Sequence, residues 1–251
     1  MLQPGPIETI IKRKIARKGT ILAALIDPEE FTPAKAAEVG KAAERAGASI
    51  ILVGGSTLAD QTRLDQVTRS LKHHITSPVV LFPGNITGIS RFADAILFSS
   101  LLNSTNTYFI IGAQALGAME VYQTGLESIP MGYLVFGNST AASFIGQANG
   151  LPYSKPGLAV IYALAAKYLG MRTLYLEAGS GALDNVPAET IRLVRKFYDG
   201  ILIVGGGITS PEAARRAAKA GADVLVVGNL LQKPGYEMTL REISAIIRKG
   251  R

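Results

Sequence analysis

The 251-residue chain has no cysteine, no tryptophan and only two histidines. Without cysteine it can hold no disulfide scaffold, no thiolate metal site and no cysteine nucleophile. That fits a reducing compartment, and a cytoplasmic location is the expectation. No apolar run approaches the roughly 18 residues that a membrane span needs. The two histidines, His73 and His74, fall at the end of a predicted helix, where cations are favoured, and are expected on the surface. No Ser–His–Asp set suggests itself. Lysine is missing from the ends of the strands proposed below, which argues against a Schiff-base aldolase.

What the chain does have is apolar mass and positive charge. Hydrophobic residues make up 48% of it and the net charge is +7. Basic residues gather near the ends: Lys12, Arg13, Lys14, Arg17 and Lys18 at one, Arg241, Arg248, Lys249 and Arg251 at the other. A solvated surface is the plain reading. An anionic substrate or peripheral contact with an anionic membrane surface is the alternative. No aromatic side chains are interleaved with these cations, so a nucleic-acid groove is not expected. The segment Met1–Gly19 lacks an apolar core with a cleavage site. With Ile7, Ile10, Ile11 and Ile15 near helical spacing, it reads as an amphipathic helix.

One rhythm runs through the rest of the chain. Short β-rich runs occur at Ile21–Ile26, Ser49–Val53, Val79–Phe82, Ala95–Phe98, Gly132–Phe136, Thr173–Glu177, Gly200–Val204 and Asp223–Val227. Most are continuously apolar, as in strands buried on both faces. Helix signals lie between them. Thr32-Pro33 and Ser210-Pro211 each open a segment with proline in the first turn, and Gly47 and Gly221 stand where those helices should end. The unit helix–Ala-Gly-Ala–strand occurs twice, at Ala46–Ala48 and Ala220–Ala222. No linker or composition break divides the chain. Eight evenly spaced strands in 251 residues predict an α/β fold: a single (β/α)8 TIM barrel over residues 1–251 with an N-terminal helix. A doubly wound open sheet is the second choice.

In such a barrel the loops after the strands build the site, and the chemistry-bearing residues stand there. Gly205-Gly206-Gly207 precedes a helix, and Gly228-Asn229 ends the last strand. Glycine loops turn backbone N–H groups toward an anion, and a helix N-terminus adds partial positive charge. A phosphate site in loops seven and eight is therefore expected; tight turns alone are the plain reading. Glu177 ends an apolar strand before Ala178-Gly179-Ser180-Gly181. There it can act as a general base, or it is a helix-capping or salt-bridged glutamate. Asp27, before Pro28, is a hard oxygen ligand that suits magnesium beside a phosphate, with Ser56 offering a hydroxyl. Alternatively it caps an Asp–Pro turn.

Taken in chain order, Leu25-Ile26-Asp27-Pro28, Val53-Gly54-Gly55-Ser56, Leu81-Phe82-Pro83-Gly84, Tyr175-Leu176-Glu177-Ala178-Gly179-Ser180-Gly181, Val204-Gly205-Gly206-Gly207-Ile208 and Val227-Gly228-Asn229 closely resemble the geranylgeranylglyceryl phosphate synthase family. The resemblance spans almost the whole chain. Its Tyr-Leu-Glu-Ala-Gly-Ser-Gly segment is highly specific, whereas the glycine motifs are common among phosphate-binding barrels. It implies a magnesium-dependent prenyltransferase of archaeal ether-lipid synthesis, joining sn-glycerol 1-phosphate to geranylgeranyl diphosphate and releasing diphosphate. It also implies that Asp27 and Ser56 bind Mg2+. Tyr175, Leu176, Glu177, Ala178, Gly179, Ser180, Gly181, Gly206, Gly207, Gly228 and Asn229 would hold glycerol phosphate, with Glu177 as the candidate base. Bacterial relatives that use a heptaprenyl chain share these motifs, which leaves product length open. Family habit further implies a homo-oligomer, a dimer or a hexamer.

Tyr108-Phe109-Ile110-Ile111 is read as groove lining, as a subunit contact or as ordinary packing. Phe109 is the candidate for the bulky residue that limits chain length in the family. Two rivals remain: another sugar-phosphate barrel enzyme such as an isomerase, and a non-catalytic phosphate-binding scaffold.

Overall fold

A computed structural model describes residues 3–179 and 185–248. Eight strands close into one barrel in the order β1 to β8. They are β1 (Ile21–Ile26), β2 (Ile50–Val53), β3 (Val79–Leu81), β4 (Ala95–Leu101), β5 (Glu127–Val135), β6 (Thr173–Glu177), β7 (Ile201–Gly205) and β8 (Val224–Val227). All pairings are parallel, and β1 closes on β8 through Ile21↔Val224 to Ala24↔Val227.

Side-chain alternation sorts each strand into two layers. Ala23, Leu52, Val80, Leu97, Met131, Tyr175, Ile203 and Val226 fill the barrel. Leu22, Ile51, Leu81, Ile96, Leu134, Leu176, Val204 and Leu225 face the surrounding helices. This two-sided burial is why the strands read as unbroken apolar runs.

The helices begin where their caps lie. α2 (Pro33–Arg45) starts after Thr32, whose hydroxyl accepts from Lys35 N at 3.3 Å. α8 (Pro211–Lys219) starts after Ser210 in the same way. Each such cap contributes about 1 kcal/mol. The remaining helices are α3 (Gln61–His74), α4 (Ala113–Thr124), α5 (Ala141–Ile145), α6 (Pro156–Tyr168), α7 (Ala188–Phe197) and α9 (Tyr236–Arg248).

α1 (Pro6–Lys18) seals the end of the barrel where the strands begin. Ile11 packs into the interior cluster, flanked by Ile7 and Ile15. The Glu127 carboxylate, at the start of β5, accepts from the N–H groups of Ile7 (2.5 Å) and Glu8 (2.8 Å). Glu8 itself is fully buried and pairs with Arg172 and Lys12, both at 2.8 Å. Removing Glu8's main partner, Arg172, would leave a buried carboxylate under-compensated and so destabilise the fold. With this end plugged, the opposite end, where the strands finish, is the mouth.

Three features differ from the sequence expectation. β5 begins at Glu127 rather than Gly132. Its first residues pair with β4 alone, and β6 joins only at Met131↔Thr173, so Pro130 sits where one side has no strand partner. β4 continues to Leu101 because β5 accompanies it that far. Between β3 and β4 the chain forms only a 3-10 turn, Ile86–Gly88, in place of a covering helix. The outer side of the β3–β4 rim is thereby left open beside α4.

Candidate active site at the barrel mouth

β6 carries the chemistry. Alternation places Tyr175 and Glu177 on the inner face, toward the mouth. Tyr175 stacks on Phe82 (5.2 Å between ring centres) and meets Tyr133 edge-on at 5.3 Å. Phe82 and Tyr133 also meet edge-on, at 5.4 Å. The three rings form the floor of the mouth. Each such pair adds about 0.5–1.5 kcal/mol beyond its buried area, which makes the floor rigid.

Above the floor, Glu177 is only 6% exposed. Its Oε1 accepts from Gly179 N at 2.5 Å, and the Tyr175 hydroxyl donates to its carboxylate. Burial raises the Glu177 pKa above the usual glutamate value, and those two donors pull it only partly back. Burial, with Glu177 close by, drives both tyrosine phenols well above their ordinary value. They therefore stay protonated, and Tyr175 acts as a donor to Glu177. The result is a desolvated, oriented carboxylate, which is what a general base requires.

Loop seven fits against this group. A Cβ on Gly206 would collide with Glu177 Oε1, and its φ of +77° is left-handed. Gly207 follows at φ +71°. Asn185 Nδ2 donates to the Gly206 carbonyl at 3.1 Å, which holds the turn from the side. The loop runs straight into α8, so glycine N–H groups and a helix N-terminus converge there. Gly228 and Asn229 stand beside them.

These pieces open into one cavity of about 570 Å³. Of the sequence candidates, Ser56, Tyr175, Glu177, Gly206, Gly207, Gly228 and Asn229 line it. Leu176 and Ala178 point outward into the helix layer, and Ala178 N donates to the Gly205 carbonyl at 3.1 Å. Gly179 gives its N–H to Glu177. Ser180 and Gly181 lie outside the described residues.

From the mouth the cavity crosses the uncovered β3–β4 rim and continues as an apolar groove. Ile89, Ile96, Phe98, Phe109, Gly117 and Val121 line this part. Phe109 belongs to a π-helical turn, Tyr108–Gly112, that Ser100 Oγ fastens to β4 by donating to the Ile110 carbonyl at 2.7 Å. Tyr108 Oη donates to Asn85 Oδ1 on the other side. Phe109 thus faces the groove, while Ile111 is 63% exposed on the outer surface. Sequence reasoning missed Phe82 and Tyr133 as floor residues, and Asn185, Arg216 and Lys233 in the wall. None carries a local signature, because each reaches the mouth from its own element.

Asp27 follows β1. Its Oδ1 accepts from Glu29 N at 3.0 Å, so the turn-capping role is real. Its carboxylate also lies directly against the loop that carries Ser56, since a Cβ on Gly55 would collide with it. Among the described residues no three His, Cys, Asp or Glu side chains gather around one point. A carboxylate and a hydroxyl from neighbouring loops suit a magnesium ion that takes its other ligands from water and phosphate, rather than a closed protein cage.

A plugged barrel with a glycine cradle, a buried carboxylate and an apolar groove in one cavity defines a TIM barrel with its site at the ends of the strands. The chain belongs to the PcrB family, whose model matches residues 13–247. It is 50% identical over 243 residues to the geranylgeranylglyceryl phosphate synthase of Cenarchaeum symbiosum, covering 97% of this chain and 98% of that relative. It is 47% identical to the enzyme of that name from Thermococcus kodakarensis, covering 100% of this chain and 99% of that one. Its fold superposes with a TM-score of 0.93 on the crystal structure of (S)-3-O-geranylgeranylglyceryl phosphate synthase from Thermoplasma acidophilum in complex with its substrate sn-glycerol-1-phosphate. That chain is 37% identical, and the match covers 99% of this chain and 100% of that one. No helix among the described residues is long and apolar enough to cross a membrane.

Proposed function

We propose that this protein transfers a geranylgeranyl group from its diphosphate to the free terminal hydroxyl of sn-glycerol 1-phosphate. The observation that carries the reading is the continuity of cradle, carboxylate and groove within one cavity. A sugar-phosphate isomerase needs the first two and has no use for the third.

The glycine loops hold the glycerol phosphate by its phosphate. The hydroxyl at its other end then reaches Glu177. The prenyl chain lies in the groove, with its allylic carbon at the mouth. The hydroxyl oxygen forms a bond to that carbon as the carbon–oxygen bond to diphosphate breaks. The hydroxyl proton passes to Glu177, and diphosphate leaves with the bonding electrons. Holding both reactants at one point converts a bimolecular encounter into a positioned one. Asp27 and Ser56 would hold a magnesium ion, which when bound would offset charge on the leaving diphosphate. The apolar walls keep bulk water from competing with the glycerol hydroxyl.

The test is purified protein with magnesium, labelled sn-glycerol 1-phosphate and prenyl diphosphates of several lengths. The expected result is an ether product with stoichiometric diphosphate. Isomerisation of a sugar phosphate without diphosphate release would overturn the reading.

Phe109 supports the shorter, geranylgeranyl product over a heptaprenyl one, because its ring lines the groove. Phe109→Ala is expected to admit longer prenyl diphosphates and shift the preferred donor beyond twenty carbons. Competition assays with mixed donors read this directly. An unchanged length profile would remove Phe109 as the stop.

The protein acts in the cytoplasm as a homo-oligomer in this proposal, a dimer or a hexamer built from dimers. The support is the outward apolar face of the π-turn and α4, where Ile111, Leu116, Met119 and Tyr122 are all more than half exposed. Tyr168 and Leu169, at the end of α6, are as open. Exposed apolar area of this kind marks association surfaces. Analytical ultracentrifugation at micromolar concentration is expected to give no monomer; a lone monomer peak would overturn it. The basic end residues leave peripheral contact with an anionic membrane as a further part of the proposal.

A further inference from the structure

Among the described residues, two cations line the cavity: Arg216 and Lys233. Glu177 is the one carboxylate among the described lining residues. Both cations stand on the β7–β8 side, next to the glycine cradle. Arg216 projects from the second turn of α8, whose N-terminus starts at that cradle. Lys233 follows the 3-10 turn Asn229–Gln232, which begins with the candidate Asn229 itself.

Their charges are scarcely used within the chain. Arg215 takes Glu212 through two bonds, at 3.0 and 2.8 Å. That leaves Arg216 a 3.6 Å contact to the same carboxylate, with its side chain 56% exposed. An exposed helical pair of this kind contributes little to stability. The Lys233 ammonium has no hydrogen bond or ion pair among the described residues. Stability therefore does not explain why two separate elements each bring a cation to the lining of this cavity.

We propose that Arg216 and Lys233 form a binding pair for the acceptor's phosphate dianion, meeting it from the solvent side while the glycine N–H groups take it from the barrel side. This rests on the function proposed above. The division of labour follows from chemistry. Backbone N–H groups are neutral donors that respond mainly to shape. Two full positive charges respond to the charge of the anion, and charge-assisted bonds are roughly twice as strong as neutral ones. They also draw an anion toward the mouth, and that effect falls with added salt.

The experiment measures steady-state kinetics of Arg216→Ala, Lys233→Ala and the double variant at several salt concentrations, with calorimetric binding of inorganic phosphate to each. The expected result is a rise of about tenfold in KM for glycerol phosphate per variant, the effect of one charge-assisted contact. kcat should stay within about threefold, and KM for the prenyl diphosphate should barely move. Phosphate should bind the double variant more weakly, and the salt dependence of kcat/KM should flatten. Arg216→Lys should recover most of the loss. Unchanged glycerol phosphate KM and phosphate affinity would overturn the pair, and so would a loss confined to kcat. A rise in KM for the prenyl diphosphate alone would assign the cations to the other substrate and overturn this inference too. Absence of turnover by the unaltered protein would instead strike the proposed function. Phosphate calorimetry would then still decide whether the two cations hold an anion.

Discussion

Glu177→Gln is expected to lower kcat by about 10²–10⁴-fold, the usual contribution of a positioned general base. KM for glycerol phosphate should change far less, because the cradle that holds the phosphate lies in loops seven and eight. The amide keeps the shape of the carboxylate and can still accept from Gly179 N, so the mouth should stay assembled. Two further measurements separate a base from a binding group. Burial raises the Glu177 pKa in the free protein, so the acid limb of kcat/KM in the unaltered protein should lie above the ordinary glutamate range and disappear in the variant. The stability effect has the opposite sense. A carboxyl whose folded pKa lies above its unfolded one is favoured in its protonated form by folding. Ionising it as pH rises through the folded pKa therefore costs stability. At neutral pH, Glu177→Gln should melt at the same temperature as the unaltered protein or higher, while nearly inactive. If the variant only raises KM for glycerol phosphate, Glu177 is a binding group and the proton goes elsewhere.

Asp27→Asn should lose at least about 10–100-fold in activity at limiting magnesium, the scale seen when a group that tunes a metal site is removed. Part of the loss should return at high magnesium, since Ser56 and the substrate phosphates still offer oxygens. The fold should survive, because an amide oxygen can still accept from Glu29 N in the turn. Activity titrated against magnesium for both proteins reads the outcome. Full activity of Asp27→Asn at limiting magnesium would reduce Asp27 to its turn-capping role.

Much of this molecule is legible in one dimension. Ile21–Ile26 and Thr173–Glu177 are apolar runs whose ends coincide with the strands, because both faces of such a strand are buried and hydrophobicity alone marks them. Thr32-Pro33 and Ser210-Pro211 start helices through local hydrogen bonds within three residues. The glycines of loop seven are needed for positive φ, a property of single residues. Strand ends, helix starts and glycine turns together locate the mouth, so Glu177, Asp27, Gly206 and Asn229 can be named from order along the chain.

What the chain order leaves undecided depends on contacts across long separations. Glu127 reads as a polar loop residue, yet it opens β5 because α1, about 120 positions earlier, places its N–H groups there. Phe82, Tyr133 and Tyr175 come from three strands and become one floor only when the barrel closes. The raised pKa of Glu177 is likewise a consequence of burial. The apolar groove exists because a 3-10 turn stands where a helix would have covered β3 and β4, and no residue within that segment announces an empty space beside it. Sequence by itself determined which groups stand at the strand ends, since those depend on local periodicity and turn chemistry. Only the tertiary structure decided which of them share a cavity, how dry they are and where the cavity leads, because proximity, desolvation and missing cover arise when distant elements meet.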